Sequence, residues 1–364
     1  IGVACALTGP GTAWGVPFRD AIMLLDGTTI DVAGEKYQVK FIVEDNKYTS
    51  KDAVTATNKL IFVDKVKFIT QFGTACVLAA LPITEENKVL MAGVATVPGT
   101  TPLGVKYSFR LTLCSTELVP VIYKWLNDNR PELRRYALLA INVEHGKAAQ
   151  KMAAEQVKKH GRELVYSELY EPGVTDFYPH LTKIIAAKPD GLDLCVSLPG
   201  QAALIVKQAR ELGFKGQIFN PVCIDGAELL KVAGKDAAEG YIFICSPCGS
   251  TMIDPVCSPL EKDVYKRFVD RYGYFKIGMG FWWDHVKVIL EGIEKAGSLD
   301  VDKVAKALET EELELSFGRS RFGIEKYYGH QLLAAMYMVR IRDGKQETFK
   351  RIEYKEWMKI LGVK

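Results

Sequence analysis

Long hydrophobic runs are missing from this chain of 364 residues: the longest, such as Val77–Pro82, fall far short of a membrane span. Neither sign of charge dominates, since 47 basic and 44 acidic residues leave a net +3 spread without long runs. Nothing in that balance asks for nucleic acid or an anionic membrane as partner. Histidine is scarce: none of His145, His160, His180, His285 and His330 stands at metal-like spacing to another. The G-x-S-x-G elbow, the P-loop and the H-E-x-x-H helix are all lacking. Gly9-Pro10-Gly11 follows a strand, but one short glycine turn is weak support for a dinucleotide. No enzyme activity, metal or cofactor is therefore expected.

What remains is an ordinary globular composition, 48% hydrophobic and 25% charged, in a chain too long to favour one compact domain. Ile1-Gly2-Val3-Ala4-Cys5-Ala6-Leu7 already reads as a strand with no targeting segment in front of it, as in a mature exported protein freed of its signal peptide or in a trimmed chain, and both stay open. Of eight cysteines most lie in apolar strands, where a small buried hydrophobe is the usual reading. Cys245, Cys248 and Cys257 cluster in a loop rich in Pro, Gly and Ser. There a Cys248–Cys257 disulfide and free thiols both stay open, and a metal lacks a nearby histidine and a fourth ligand.

Strand and helix alternate from the start. Ile1–Leu7, Val39–Glu44, Lys67–Phe72 and Val89–Ala92 read as strands, and Trp14–Leu25, Ser50–Phe62 and Gly73–Asn87 as helices or their opening turns. A second series begins at Arg135, with strands at Glu163–Tyr170, Gly191–Val196, Gln217–Pro221 and Gly240–Cys245. The last third differs: three helices, Ser258–Tyr272, Phe281–Ala296 and Val301–Leu308, precede strands at Ser316–Gly323 and Leu332–Ile341 and a further one at Phe349–Ile352. Two βα series of similar length predict two doubly wound lobes, with several chain crossings between them. Within Lys67–Pro102, strand, small turn, helix and strand make a βαβ unit, and ligands gather beyond the carboxyl ends of such strands. Thr74 and Thr96 stand at those ends.

Several stretches resemble the type I periplasmic solute-binding proteins, specifically the branched-chain amino-acid (leucine/isoleucine/valine) group of ABC-transporter receptors. They are Leu7-Thr8-Gly9-Pro10 with Trp14-Gly15, Glu44-Asp45-Asn46 with Ala53-Val54, Ala95-Thr96-Val97-Pro98, Gln208–Gly213 and Ala237–Gly240. The family's usual proline in the second stretch is replaced near Lys51. The resemblance spans about 330 residues. It implies an α/β fold of two doubly wound parallel-sheet lobes joined by a three-crossing hinge. One lobe would hold 1–117 and 246–326, the other 118–245 and 327–364. It also implies an extracytoplasmic receptor, periplasmic or extracellular, either free or lipid-anchored before processing. Such a receptor is expected to be a monomer that captures a small organic acid or amino acid in the cleft by hinge closure and passes it to a membrane permease. A sensing domain of a receptor or regulator with the same fold is the alternative.

By the same resemblance Thr74 and Thr96 hold the ligand carboxylate, flanked by Phe72, Gly73, Val94 and Ala95. The physics agrees, because the unsatisfied N–H groups and positive end of a helix starting at Thr74 attract an anion. Trp14 takes the family's aromatic position over the ligand. On the other lobe His145, Pro199, Val222 and Asp225 are the expected contacts. The amino-acid binders place a glutamate for the ammonium where this chain has Val222. Asp225, three residues on, is suited to capping the next helix. Phe281 and Trp282 complete an aromatic wall, with Asp284 bracing rather than binding. The pattern suits a carboxylate with an apolar or aromatic tail.

Overall fold

The computed structural model describes residues 1–9, 11–245, 258–274, 279–323 and 329–363. It divides into two compact units, Ile1–Cys114 with Pro247–Ala334 and Ser115–Ser246 with Ala335–Lys364. Cys248 and Cys257 lie outside the described residues.

In the first unit the strands are β1 (Gly2–Cys5), β2 (Thr29–Val32), β3 (Glu35–Gln38), β4 (Ile42–Asp45), β5 (Phe68–Phe72), β6 (Leu90–Val94) and β7 (Ser108–Arg110). The second unit contributes β8 (Arg135–Ile141), β9 (Glu163–Tyr170), β10 (Gly191–Asp193), β11 (Gln217–Asn220) and β12 (Ile242–Cys245). The late strands are β13 (Leu313–Leu315), β14 (Gly318–Gly323), β15 (Gln331–Leu333), β16 (Met336–Arg342) and β17 (Lys345–Ile352). The first unit's sheet runs β13-β14-β15-β7-β6-β5-β1-β4, and the second's β17-β16-β12-β11-β10-β8-β9. From β15 to β4, and from β12 to β9, neighbouring strands are parallel. Among the described residues, antiparallel pairs in these two sheets occur at one edge of each.

Parallel strands covered by helices on both faces are buried throughout, which is why β1, β5 and β8 read as near-continuous apolar runs. Ala4, Leu60, Ile69 and Val89 share one such core layer in the first unit. Thr74 and Thr96 lie just past the carboxyl ends of β5 and β6, and Val222 just past that of β11.

Several elements differ from the sequence expectation. The expected single strand Leu332–Ile341 is two strands in two sheets, β15 beside β7 and β16 beside β12. Ala334 and Ala335, where the chain passes from one unit to the other, are as buried as their neighbours, so no polar break marks the passage. The late boundary accordingly falls after Ala334 rather than at 326, and the early one falls before Ser115, which opens the helix Ser115–Asn129. A hairpin, β2–β3, occupies a stretch where no strand pair is expected, and β4 starts only at Ile42. Its turn at Ala33-Gly34 has φ of 53° and 91°, the double left-handed geometry of a tight hairpin, but alanine hides that signal in the sequence.

Candidate functional site

The turn after β5 is built around Gly73, whose φ of 103° and ψ of 131° suit glycine alone. Its N–H donates to the Val94 carbonyl at 3.1 Å, tying the ends of β5 and β6 together. The helix Thr74–Glu86 follows at once, with no side chain capping it. Thr74 therefore does not cap its own helix. Instead its Oγ1 accepts the Thr96 N–H at 3.1 Å and lies 3.3 Å from the Thr96 Oγ1.

The hydrogens can be counted. Each hydroxyl carries one; if one is shared between the two threonines, the other is left to donate outward. Beside it are the first N–H groups of the helix, which lack intrahelical acceptors and carry the positive end of the dipole. Val94 and Thr96 are half-buried and Ala95 is buried, so the β6 turn presents little besides a hydroxyl and backbone. Chemically this is an anion-accepting corner.

Two aromatic groups are packed within the first unit. Trp14, half-buried on the helix Thr12–Ile22, meets Trp282 edge-on at 6.0 Å between ring centroids. Phe72, only 7% exposed, turns into the core against Phe18 at 5.1 Å and Tyr48 at 6.1 Å. Phe281 is also internal, edge-on to His285 at 4.7 Å. The His285 Nδ1 lies 2.9 Å from the Phe281 carbonyl, and burial holds this histidine at about 4, uncharged. Asp284 receives the Ser316 N–H at 2.9 Å and the Ser316 hydroxyl, inside the unit. Burial pushes its carboxyl well above the usual range.

The stretch Asp45-Asn46-Lys47-Tyr48, of which only Asp45 and Asn46 entered the sequence reading and then only for the family resemblance, braces the corner. Asn46 is fully buried; its Nδ2 donates to the Phe72 carbonyl at 2.8 Å and to the Ala4 carbonyl at 3.3 Å. Its Oδ1 accepts the Tyr48 N–H at 3.0 Å. Asp45 accepts the N–H groups of Leu7 and Lys47, each at 2.9 Å, and the Thr8 hydroxyl at 2.5 Å. Although desolvation works against it, these bonds, the Thr8 hydroxyl foremost, hold the Asp45 carboxyl below its ordinary value. One loop thus ties together the ends of β1, β4 and β5. The Asp-Asn pair is the signal that points to it, since both side chains hydrogen-bond nearby backbone in turns.

In the second unit the expected residues have separate surroundings. His145 is half-buried on the helix Glu144–Lys159, with Nε2 2.8 Å from the Ser115 hydroxyl. Burial lowers its pKa and favours the neutral ring. Pro199 opens the helix Pro199–Glu211, and its side chain lies outside the described atoms. Val222 is half-buried just after β11. Asp225 caps the helix Gly226–Ala233, accepting the N–H groups of Ala227 at 3.0 Å and Glu228 at 3.4 Å. No group of three or more His, Cys, Asp or Glu able to hold a metal occurs among the described residues, and no described helix is long and apolar enough to cross a membrane.

The leucine-, isoleucine-, valine-, threonine- and alanine-binding protein of Pseudomonas aeruginosa is 26% identical over 335 residues, 88% of this chain and 85% of that protein. In fold the chain is similar to the branched-chain amino acid transporter substrate-binding protein LivJ of Streptococcus pneumoniae, solved with isoleucine. The TM-score is 0.79 at 21% identity, covering 97% of this chain and 98% of that one. An ABC-transporter solute-binding protein of Rhodopseudomonas palustris BisB5, solved with 3,4-dihydroxybenzoic acid, gives 0.78 at 22% identity over 97% and 96%. Residues 1–346 match the periplasmic binding protein family, and the chain belongs to it.

Proposed function

We propose that the protein is the extracytoplasmic receptor of an ABC importer and that it captures a small carboxylate with an apolar or aromatic tail. The observation that carries this reading is the Thr74–Thr96 pair: one spare hydroxyl hydrogen beside the open N–H groups of a helix start. Gly73, Val94 and Ala95 frame the carboxylate with backbone, and the half-buried Trp14 offers the apolar face, with the buried Trp282 packed edge-on against it. Phe72 and Phe281, turned inward, support that frame from behind. A membrane permease is the partner that receives the ligand, and no catalytic step belongs to this function.

The family resemblance assigns the remaining ligand contacts to residues of the second unit. Val222 brings no carboxylate, and the one on Asp225 already accepts two N–H groups at its helix start. An ammonium buried without a partner is costly, so acids without one are favoured over amino acids, with His145 available as a neutral hydrogen-bonding ring. Melting temperature measured against a panel of isoleucine, leucine, benzoate and 3,4-dihydroxybenzoate tests this. A rise with the aromatic acids is expected. A rise with the amino acids alone would overturn the preference, and no rise with any of the four would remove these ligand classes.

A further inference from the structure

We infer that Tyr48 is a positioning residue of the carboxylate corner: its ring is the wedge that sets the Gly73–Thr74 turn against the loop leading to Trp14. This rests on the proposed carboxylate site and adds to it a residue that touches no ligand.

The observations converge on one ring. A Cβ placed on Gly73 would come within 2.8 Å of the Tyr48 Cε2, and one placed on Gly11 within 2.7 Å of the Tyr48 Cγ. The ring therefore fills the space on the inner side of both turns at once. Gly11 ends the loop from which the helix bearing Trp14 starts, and Gly73 precedes Thr74 directly. A shift of Tyr48 moves both halves of the corner.

The backbone is held for this purpose at a cost. Lys47 and Tyr48 have φ of 46° and 61°, consecutive left-handed residues that are not glycine. A non-glycine residue there is strained and persists only where its surroundings fix it. The surroundings do so: Asp45 and Asn46 accept the N–H groups of Lys47 and Tyr48, and Thr49 donates its N–H to the Asn46 carbonyl at 3.0 Å. Glycine at position 48 would ease the backbone, so its absence there leaves the ring as the reason for the residue. The residue as a whole is still 45% exposed, so core burial alone does not account for it.

The conformational relief makes the test clean, because Tyr48→Gly removes the ring and the strain together. The full chain is titrated with whichever of isoleucine, leucine, benzoate and 3,4-dihydroxybenzoate the wild type binds, and amide hydrogen exchange is followed without ligand. Tyr48→Gly is expected to lower affinity by about tenfold or more, with the melting temperature held within a few degrees and exchange accelerated over residues 72–77. Tyr48→Phe is expected to restore affinity and slow exchange. Gly11→Ala, at an ordinary φ of −87°, is expected to weaken binding alone through its clash with the ring, and to be rescued by Tyr48→Gly in exchange over residues 9–14. Unchanged affinity in Tyr48→Gly would overturn the inference. So would a collapse of the melting temperature with exchange accelerated everywhere, which marks a general structural role. If the wild type binds none of the four acids, the carboxylate reading falls, and the exchange pattern over residues 72–77 still decides whether Tyr48 sets the turn.

Discussion

Single hydroxyls decide much at the carboxylate corner. The Thr74 Oγ1 accepts one N–H from the neighbouring turn, and between it and the Thr96 Oγ1 one hydroxyl hydrogen is left to donate outward. Thr74→Ala is expected to weaken carboxylate binding by about 1–3 kcal/mol, the usual loss when a charged partner is left one hydrogen bond short. Isothermal titration would show it, with Thr74→Ser close to wild type because the hydroxyl remains. An unchanged dissociation constant in Thr74→Ala would take the residue out of the site. The Asp225 carboxylate caps the helix Gly226–Ala233, the local role its position in the sequence suits.

At the level of elements, the loop between β4 and the helix Ser50–Asn58 fastens three strand ends through one buried amide. Asn46→Ala would leave the Phe72 carbonyl and the Tyr48 N–H without that partner, and a loss of about 2–4 kcal/mol in stability is expected from urea melts. A loss under 0.5 kcal/mol would show that the loop is not held this way. This same loop marks the limit of what the sequence discloses. The βα alternation and the turns at Thr74 and Thr96 were legible because apolar periodicity and small hydroxyl residues are local features. Tyr48 was not, since its place depends on φ angles and on glycines far from it along the chain. The run around Ala334 and Ala335 misled for a different reason: burial on both sides leaves no alternation to show where one sheet ends and the next begins.

For the molecule as a whole, stability should carry a pH dependence from Asp193 in the second unit. Burial raises this carboxyl to about 7, against the opposing Tyr123 hydroxyl at 2.7 Å and Cys195 N–H at 2.6 Å. The folded chain then binds more protons than the unfolded one between the ordinary carboxyl range and 7. Its contribution is present in full below the ordinary range and is lost as the pH rises through 7. Asp193→Asn should flatten that part of the stability profile, by an amount on the order of a few kcal/mol, when denaturant midpoints are compared at pH 5 and pH 8. Parallel profiles for the two proteins would rule Asp193 out. The interleaving of the two units has a further consequence, for the order of synthesis. Ser108 and His330 share a hydrogen bond across 222 residues, and β7 meets β15 only after the whole second series has been made. As the chain leaves the ribosome, the unit begun first is the one that must wait: until β15 emerges, β7 is a bare sheet edge, open to wrong pairing and to chaperones.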